Sequence, residues 1–250
     1  MPGKASGKKL WIKKMKLIKP YTEILTPVNT VEVYKTIEKV ARTCYKSEDK
    51  ITDTSAERMV KSLIKSGHEA MIEFFDITVK FVTDRGVSHE IVRHRLGSYA
   101  QESTRFCNYA KDKFGQELVF IIPSWLELQE GDYTDGDGCP LRHGWTVQNV
   151  NDSHCWIYAM LEAEDRYLSL IERKKSAEQA RMVLPMSVKT EINVKFNLRE
   201  WRHFLNLRCH HTAHPDIRIL SLELLDKFYK LLPVVFEDLY IKYNGTNKDN

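Results

Sequence analysis

The sequence predicts an α+β fold in which helices and strands are mixed through one large domain. Three observations carry that expectation. Apolar residues recur at helical spacing in some segments and at every second position in others, without the regular strand–helix alternation of a doubly wound sheet. No internal repeat is present. No Gly-x-Gly-x-x-Gly follows a predicted strand, so a Rossmann-type dinucleotide cradle is not indicated.

Taken in order, residues 1–9 (MPGKASGKK) read as a flexible start. Leu10 to Leu25, with Trp11, Met15 and Leu17 alternating among lysines, reads as an edge strand. Residues 1–27 thus form a basic N-terminal extension with the first strand, and 28–245 the domain itself. From Asn29 or Thr30, the spacing of Val33, Tyr34, Ile37, Val40, Ala41 and Cys44 predicts a helix. A second is capped by Thr54 or Ser55, carries Met59, Val60, Leu63 and Ile64 on one face, and stops at Gly67. Phe75, Ile77, Val79 and Phe81 alternate with polar residues as a half-buried strand, and Asp84 caps a short helix after it.

Leu118 to Ile122, closed by Pro123, gives another strand. Residues 126–150, rich in Gly and acids and without an apolar period, read as a surface insertion; the Asp spacing of a calcium loop is absent there. A long amphipathic helix runs from Ser153 to about Lys174, and Ser176 caps a shorter one, Ala177–Leu184, stopped by Pro185. Val188 to Phe196 alternates as a strand. Helices follow over Arg199–Arg208 and Asp216–Leu232, and Pro233 opens the last.

Composition narrows the function classes. The 250 residues are 42% hydrophobic and 29% charged, ordinary for a globular protein. The net charge of +4 owes much to seven lysines in the first twenty residues, so bulk charge makes no case for nucleic-acid binding. No run approaches the ~20 apolar residues of a membrane span, and the lysine-rich start lacks the apolar stretch of a signal peptide. The expected location is cytoplasmic. Five scattered cysteines with no C-x-x-C pair read as free thiols.

The stretch with most chemistry is Arg93–Arg105, RHRLGSYAQESTR. A helix ending in Arg-His-Arg and opening into a Gly-Ser loop aims several charges at one point, and arginine's planar fork suits phosphate oxygens. The same residues also describe a solvated basic helix end, or the contact patch of a nucleic-acid- or nucleotide-binding module. A zinc site at Cys209, His210, His211 and His214 is a weaker alternative, because the spacing matches no common zinc motif.

Arg93-His94-Arg95, seven residues and then Ser103 resembles the motif of the flavin-dependent thymidylate synthases. Gly67-His68-Glu69, Ala180-Arg181-Met182-Val183-Leu184-Pro185, Asn197-Leu198-Arg199 and Phe204-Leu205-Asn206-Leu207-Arg208 fit the same family in the right order, over residues 28–240. The resemblance implies helices around an antiparallel sheet, a homotetramer with active sites at subunit interfaces, and small-molecule substrates, with neither nucleic acid nor membrane as partner. It implies reductive methylation of deoxyuridylate (dUMP) to thymidylate, with FAD as cofactor and NADPH and 5,10-methylenetetrahydrofolate as co-substrates. The cysteine-dependent synthases use a Pro-Cys-His nucleophile that is missing here; Cys139-Pro140 has the wrong neighbours.

Residue by residue, the resemblance implies Arg208 as the catalytic group, a fixed cation against the pyrimidine. It assigns Glu90, Arg93, Gln101, Glu102, Ser103, Thr104, Arg105 and Arg181 with Arg208 to dUMP, Arg105 and Arg181 holding the phosphate. For FAD it points to Ala70, Arg93, His94, Arg95, Gln101, Asn197, Arg199 and His203, and for the folate–flavin pocket to His68 and Glu73. Two positions depart from the family. Ala70 stands where Ser or Thr is common, leaving only its backbone to make contact. Glu90 stands where Gln is common, and its carboxylate is expected to point away or to pair with Arg93 or Arg181.

Overall fold

The computed structural model describes residues 14–109, 118–134 and 151–245. The expectations for residues 1–13 and for most of the insertion, 135–150, lie outside the described residues. In chain order the elements begin with β1 (Lys14–Ile18), β2 (Tyr21–Ile24), α1 (Thr30–Thr43), α2 (Ser55–Lys65), β3 (Asp76–Asp84), α3 (Arg85–Ile91) and β4 (Ser98–Gln101). They continue with β5 (Val119–Ile121), β6 (Gly131–Thr134), α4 (Asp152–Glu172), α5 (Ala177–Ala180) and β7 (Lys189–Asn197). The chain closes with α6 (Leu198–Arg208), α7 (Pro215–Leu231) and α8 (Pro233–Asn244). Short 3₁₀ turns cover Glu48–Lys50, Glu69–Phe74 and Arg181–Val183.

The chain falls into two compact units, one of residues up to Lys19 with Ser103–Lys189, the other of Pro20–Glu102 with Thr190–Asn250. In the first, β1 is the middle strand of three, parallel to β5 and antiparallel to β6. Met15 and Leu17 point from β1 into a core with Phe120, Met160, Leu161 and Tyr167. Buried Glu164 on α4 is satisfied by the backbone N–H of Leu118 at 2.6 Å.

The second unit has a four-stranded sheet in the order β2-β3-β7-β4, with β2 antiparallel to β3 and β4 antiparallel to β7. Its core is built around Trp201, whose ring meets Phe81, Phe196, Phe204 and Phe228 and whose indole N–H donates to the carbonyl of Ile77 at 3.0 Å. That bond lets a polar atom be buried without penalty.

The α+β class with an antiparallel sheet is what the structure shows, with a second sheet that holds one parallel pair. Other expectations need correction. Leu10–Leu25 is not one strand: β1 is central in one sheet and β2 an edge of the other, and the break falls at Pro20, which has no N–H for a ladder. The segment expected to be irregular contributes β6 at Gly131–Thr134. The Ser176 helix is shorter than expected; after α5 it tightens to a 3₁₀ turn, and Leu184 before Pro185 is extended, as a residue preceding proline prefers. Thr54 precedes α2 without a side-chain cap; the hydroxyl of Ser55 instead accepts from the Thr52 N–H and donates to Glu38.

Gly97, in the loop between α3 and β4, is required by close approach. A Cβ there would meet a ring carbon of Phe196 at 2.1 Å and the Lys195 carbonyl oxygen at 2.8 Å. Phe196 is buried in the aromatic core and cannot swing aside. Gly97→Ala is therefore expected to lower unfolding stability by about 1–3 kcal/mol, read as a shifted denaturant midpoint. An unchanged midpoint would mean the loop moves freely away from the ring.

Candidate active site

Two segments of the second unit meet at an open cleft of about 1460 Å³. One is the Arg93-His94-Arg95 turn that follows α3; the other is α6. Asn197 ends β7 and caps α6 through its Oδ1, which accepts from the Glu200 N–H at 2.8 Å. Trp201, Phe204 and Leu205 bury one face of α6, so Arg199 and His203, one turn apart, are left facing the cleft. Glu69 and Glu73 form part of the wall, as do Asp238 and Lys242 of α8. The turn itself is pinned by Tyr99, whose hydroxyl donates to the His94 carbonyl. Burial, and then the charge of Glu200, push the Tyr99 phenol up to about 12, so it stays a donor.

Arg208, at the end of α6, is held from three directions. Its Nη1 donates to the Glu90 carboxylate at 2.7 Å, its Nη2 to the Glu90 carbonyl at 3.0 Å, and its Nε to Nε2 of His94 at 3.0 Å. The His94 ring is buried beside Phe204, with centroids 4.8 Å apart. Burial, then the charges of Arg208 and His203, lower its pKa to about 4. His94 is therefore neutral near pH 7. Behind it lies Glu200, itself buried, with Oε1 3.5 Å from Nδ1. Burial raises the Glu200 carboxyl above its ordinary value.

The remaining charges divide into committed and free. Arg199 pairs with Glu73 at 2.6 Å. Arg202 forms a bidentate pair with Asp238 and a further bond to Glu69. Arg93 and Arg95 are exposed and have no ion-pair partner among the described residues. Two guanidinium groups without an ion-pair partner thus line the cleft, and their N–H donors are of the kind that suits an anion.

Residues 28–234 match the thymidylate synthase complementing protein family. The chain belongs to that family. It is 29% identical over 205 residues to a flavin-dependent thymidylate synthase from Geobacter sulfurreducens, covering 79% of this chain and 78% of the relative. It is 30% identical over 213 residues to one from Mycobacterium tuberculosis, covering 82% and 79%. Among solved structures it resembles a UMP/dUMP methylase, PolB, from Streptomyces cacaoi bound with 5-Br dUMP. The TM-score is 0.68 and the identity 23%, over 89% of this chain and 96% of that one, a likeness of fold.

Set against the residues that family likeness singles out, the second unit brings together Glu73, Arg93, His94, Arg95, Asn197, Arg199, His203 and Arg208 along the cleft. Glu90 pairs with Arg208 and not with Arg93 or Arg181, because α3 ends with its carboxylate and carbonyl both turned to the guanidinium. Gln101 lies apart from the cleft lining; its amide donates to Ser88 at 2.9 Å and to Thr190 at 3.2 Å. Glu102 joins β4 to β7 by a backbone bond to Glu191. His68 and Ala70 are exposed at the start of the Glu69 turn, outside the lining.

Ser103, Thr104, Arg105 and Arg181 belong to the first unit. There Arg181 donates to the Thr104 hydroxyl at 3.4 Å, and exposed Arg105 lies 3.3 Å from Glu178. The Cys209–His214 run does not bring its donor atoms together: Cys209 is buried, and His214 accepts the Asp216 N–H. Among the described residues, the trio whose donor atoms approach within 4.8 Å is instead His94, Glu200 and His203. The Arg208 guanidinium bonded to His94 makes this a poor home for a dication.

The sequence reading missed Glu200, Arg202, Asp238 and Lys242. Glu200 falls three residues after Asn197, where a glutamate reads as a capping partner. The pairing of Arg202 with Asp238, 36 residues apart, has no local signature.

Proposed function

We propose that this protein is a flavin-dependent thymidylate synthase, converting deoxyuridylate to thymidylate with the methylene of 5,10-methylenetetrahydrofolate. The observation that carries this reading is the gathering of Arg93, Arg95, Asn197, Arg199, His203 and Arg208 from separate segments around one cleft, in a chain of this family. The cleft exceeds the roughly 300–1,000 Å³ of a typical small-ligand site, and its unpaired Arg93 and Arg95 suit the diphosphate of a dinucleotide. FAD fits those features. When bound and reduced by NADPH, it supplies the hydride that the chain's own residues cannot.

The residues assigned to FAD are Arg93, His94, Arg95, Asn197, Arg199 and His203. Asn197 has its amide N–H groups to contribute, since its oxygen already accepts the α6 cap bond. Arg199 must exchange Glu73 for a phosphate to act as an anion ligand. Arg208 is the group for the pyrimidine. Of its five N–H donors, three are engaged, which leaves one on each terminal nitrogen. Donors fixed in advance in this way stabilise negative charge on the pyrimidine without reorganising. Because Glu90 offsets its charge, the arginine acts through oriented donors more than as a bare cation.

Arg105 and Arg181 are assigned to the nucleotide 5′-phosphate, with Ser103 and Thr104 beside them. The working assembly is a homotetramer with its sites at subunit interfaces, in the cytoplasm. Purified protein is expected to be yellow and to form thymidylate from deoxyuridylate, methylenetetrahydrofolate and NADPH. Flavin-loaded protein that makes none would overturn the reading.

A further inference from the structure

We propose that Glu200 is a positioning residue that selects the tautomer of His94 and thereby aims Arg208. The inference rests on the role given to Arg208 above but is argued from donors and acceptors alone. Arginine Nε always carries its proton and can only donate. Since Nε of Arg208 lies 3.0 Å from Nε2 of His94, that ring nitrogen must present a lone pair. A neutral imidazole carries one proton, so it sits on Nδ1. Nδ1 faces Glu200 Oε1 at 3.5 Å.

A carboxylate oxygen beside Nδ1 favours the proton there and disfavours the opposite tautomer, which would place two N–H groups head to head at the Arg208 contact. Both partners have little access to water. His94 and Glu200 are both buried, and the ring is wedged beside Phe204. Glu200 is itself held in place from the backbone, because its N–H is the one capped by Asn197. One buried carboxylate is thus linked through a neutral imidazole to the guanidinium, whose other side is fixed by Glu90. Partners that orient metal-bound histidines typically alter activity by about 10–100-fold when removed, and a loss on that scale is expected here.

The experiment compares Glu200→Ala and Glu200→Gln with the unaltered protein, all loaded with FAD. Nitrogen-15 NMR of the histidine rings reports the tautomer independently of turnover. The unaltered protein is expected to show His94 protonated on Nδ1. Glu200→Ala should populate the Nε2–H form and lower kcat about 10–100-fold, with KM for deoxyuridylate nearly unchanged and flavin retained. Glu200→Gln keeps an acceptor oxygen and should restore both the tautomer and most of kcat. The proposal falls if Glu200→Ala leaves tautomer and kcat unchanged, or if Glu200→Gln holds the tautomer yet is as slow as the alanine variant. If the unaltered protein makes no thymidylate, the assigned reaction fails, while the tautomer measurement still decides whether Glu200 positions His94.

Discussion

Replacing Arg208 by alanine is expected to lower kcat about 10²–10³-fold, the usual effect of removing a fixed donor from a charge-stabilising site, while FAD stays bound. The guanidinium lies on the cleft wall at the end of α6, whereas Arg93, Arg95 and Arg199 come from other parts of that wall. Flavin absorbance after gel filtration should therefore match that of the unaltered protein. Loss of flavin in step with activity would reassign Arg208 to cofactor retention. Arg208→Lys should recover little, because one ammonium cannot span Glu90 and His94 while keeping two donors for the nucleotide. The same substitution has a signature on His94. Its pKa is lowered chiefly by burial and next by Arg208, so in Arg208→Ala it should rise from about 4 toward its ordinary value.

That histidine also illustrates what the sequence could and could not reveal. Periodicity and caps gave the elements well where the cause is local. Asn29 caps α1, Asp84 caps α3 and Pro233 opens α8, each readable from a few neighbours. The alternation in Phe75–Phe81 showed which face of β3 is buried, but alternation names no partner strand. Hence β1 and β2, contiguous in sequence, could not be separated into two sheets, nor could β1 be matched with β5 about a hundred residues on. The site divides the same way. The Arg93, His94, Arg199 and His203 positions followed from motifs, and α6 geometry puts the last two on one face. The ion pairs around them join Arg199 to Glu73 and Arg208 to Glu90, 126 and 118 residues apart. Only the folded chain decides which acid reaches which base.

Arg202→Ala is expected to destabilise the fold by about 2–4 kcal/mol, somewhat under the usual loss on breaking a buried ion pair. Arg202 is 7% exposed, and its guanidinium donates to both oxygens of Asp238 at 2.7 Å, to Glu69 at 2.9 Å and to the Val235 carbonyl. It ties α6 to α8 and to the Glu69–Phe74 turn, three walls of the cleft. Removing it strands two acids. The discount reflects the 51% exposure of the Asp238 side chain, which can rehydrate. Burial works to raise the Asp238 carboxyl, but the hydrogen bonds and charge of Arg202 outweigh it and hold it below the usual range. Its contribution is therefore present above the unfolded-state value and fades as pH falls through the lower folded-state value. Denaturant midpoints measured down an acid series should show that loss in the unaltered protein. In Arg202→Ala and in Asp238→Asn this part of the acid dependence should be missing, since either change removes the pair that depresses the carboxyl. An Arg202→Ala protein within about 0.5 kcal/mol of the unaltered one, the range of an ordinary surface change, would mean that α8 is held to α6 by its apolar contacts alone.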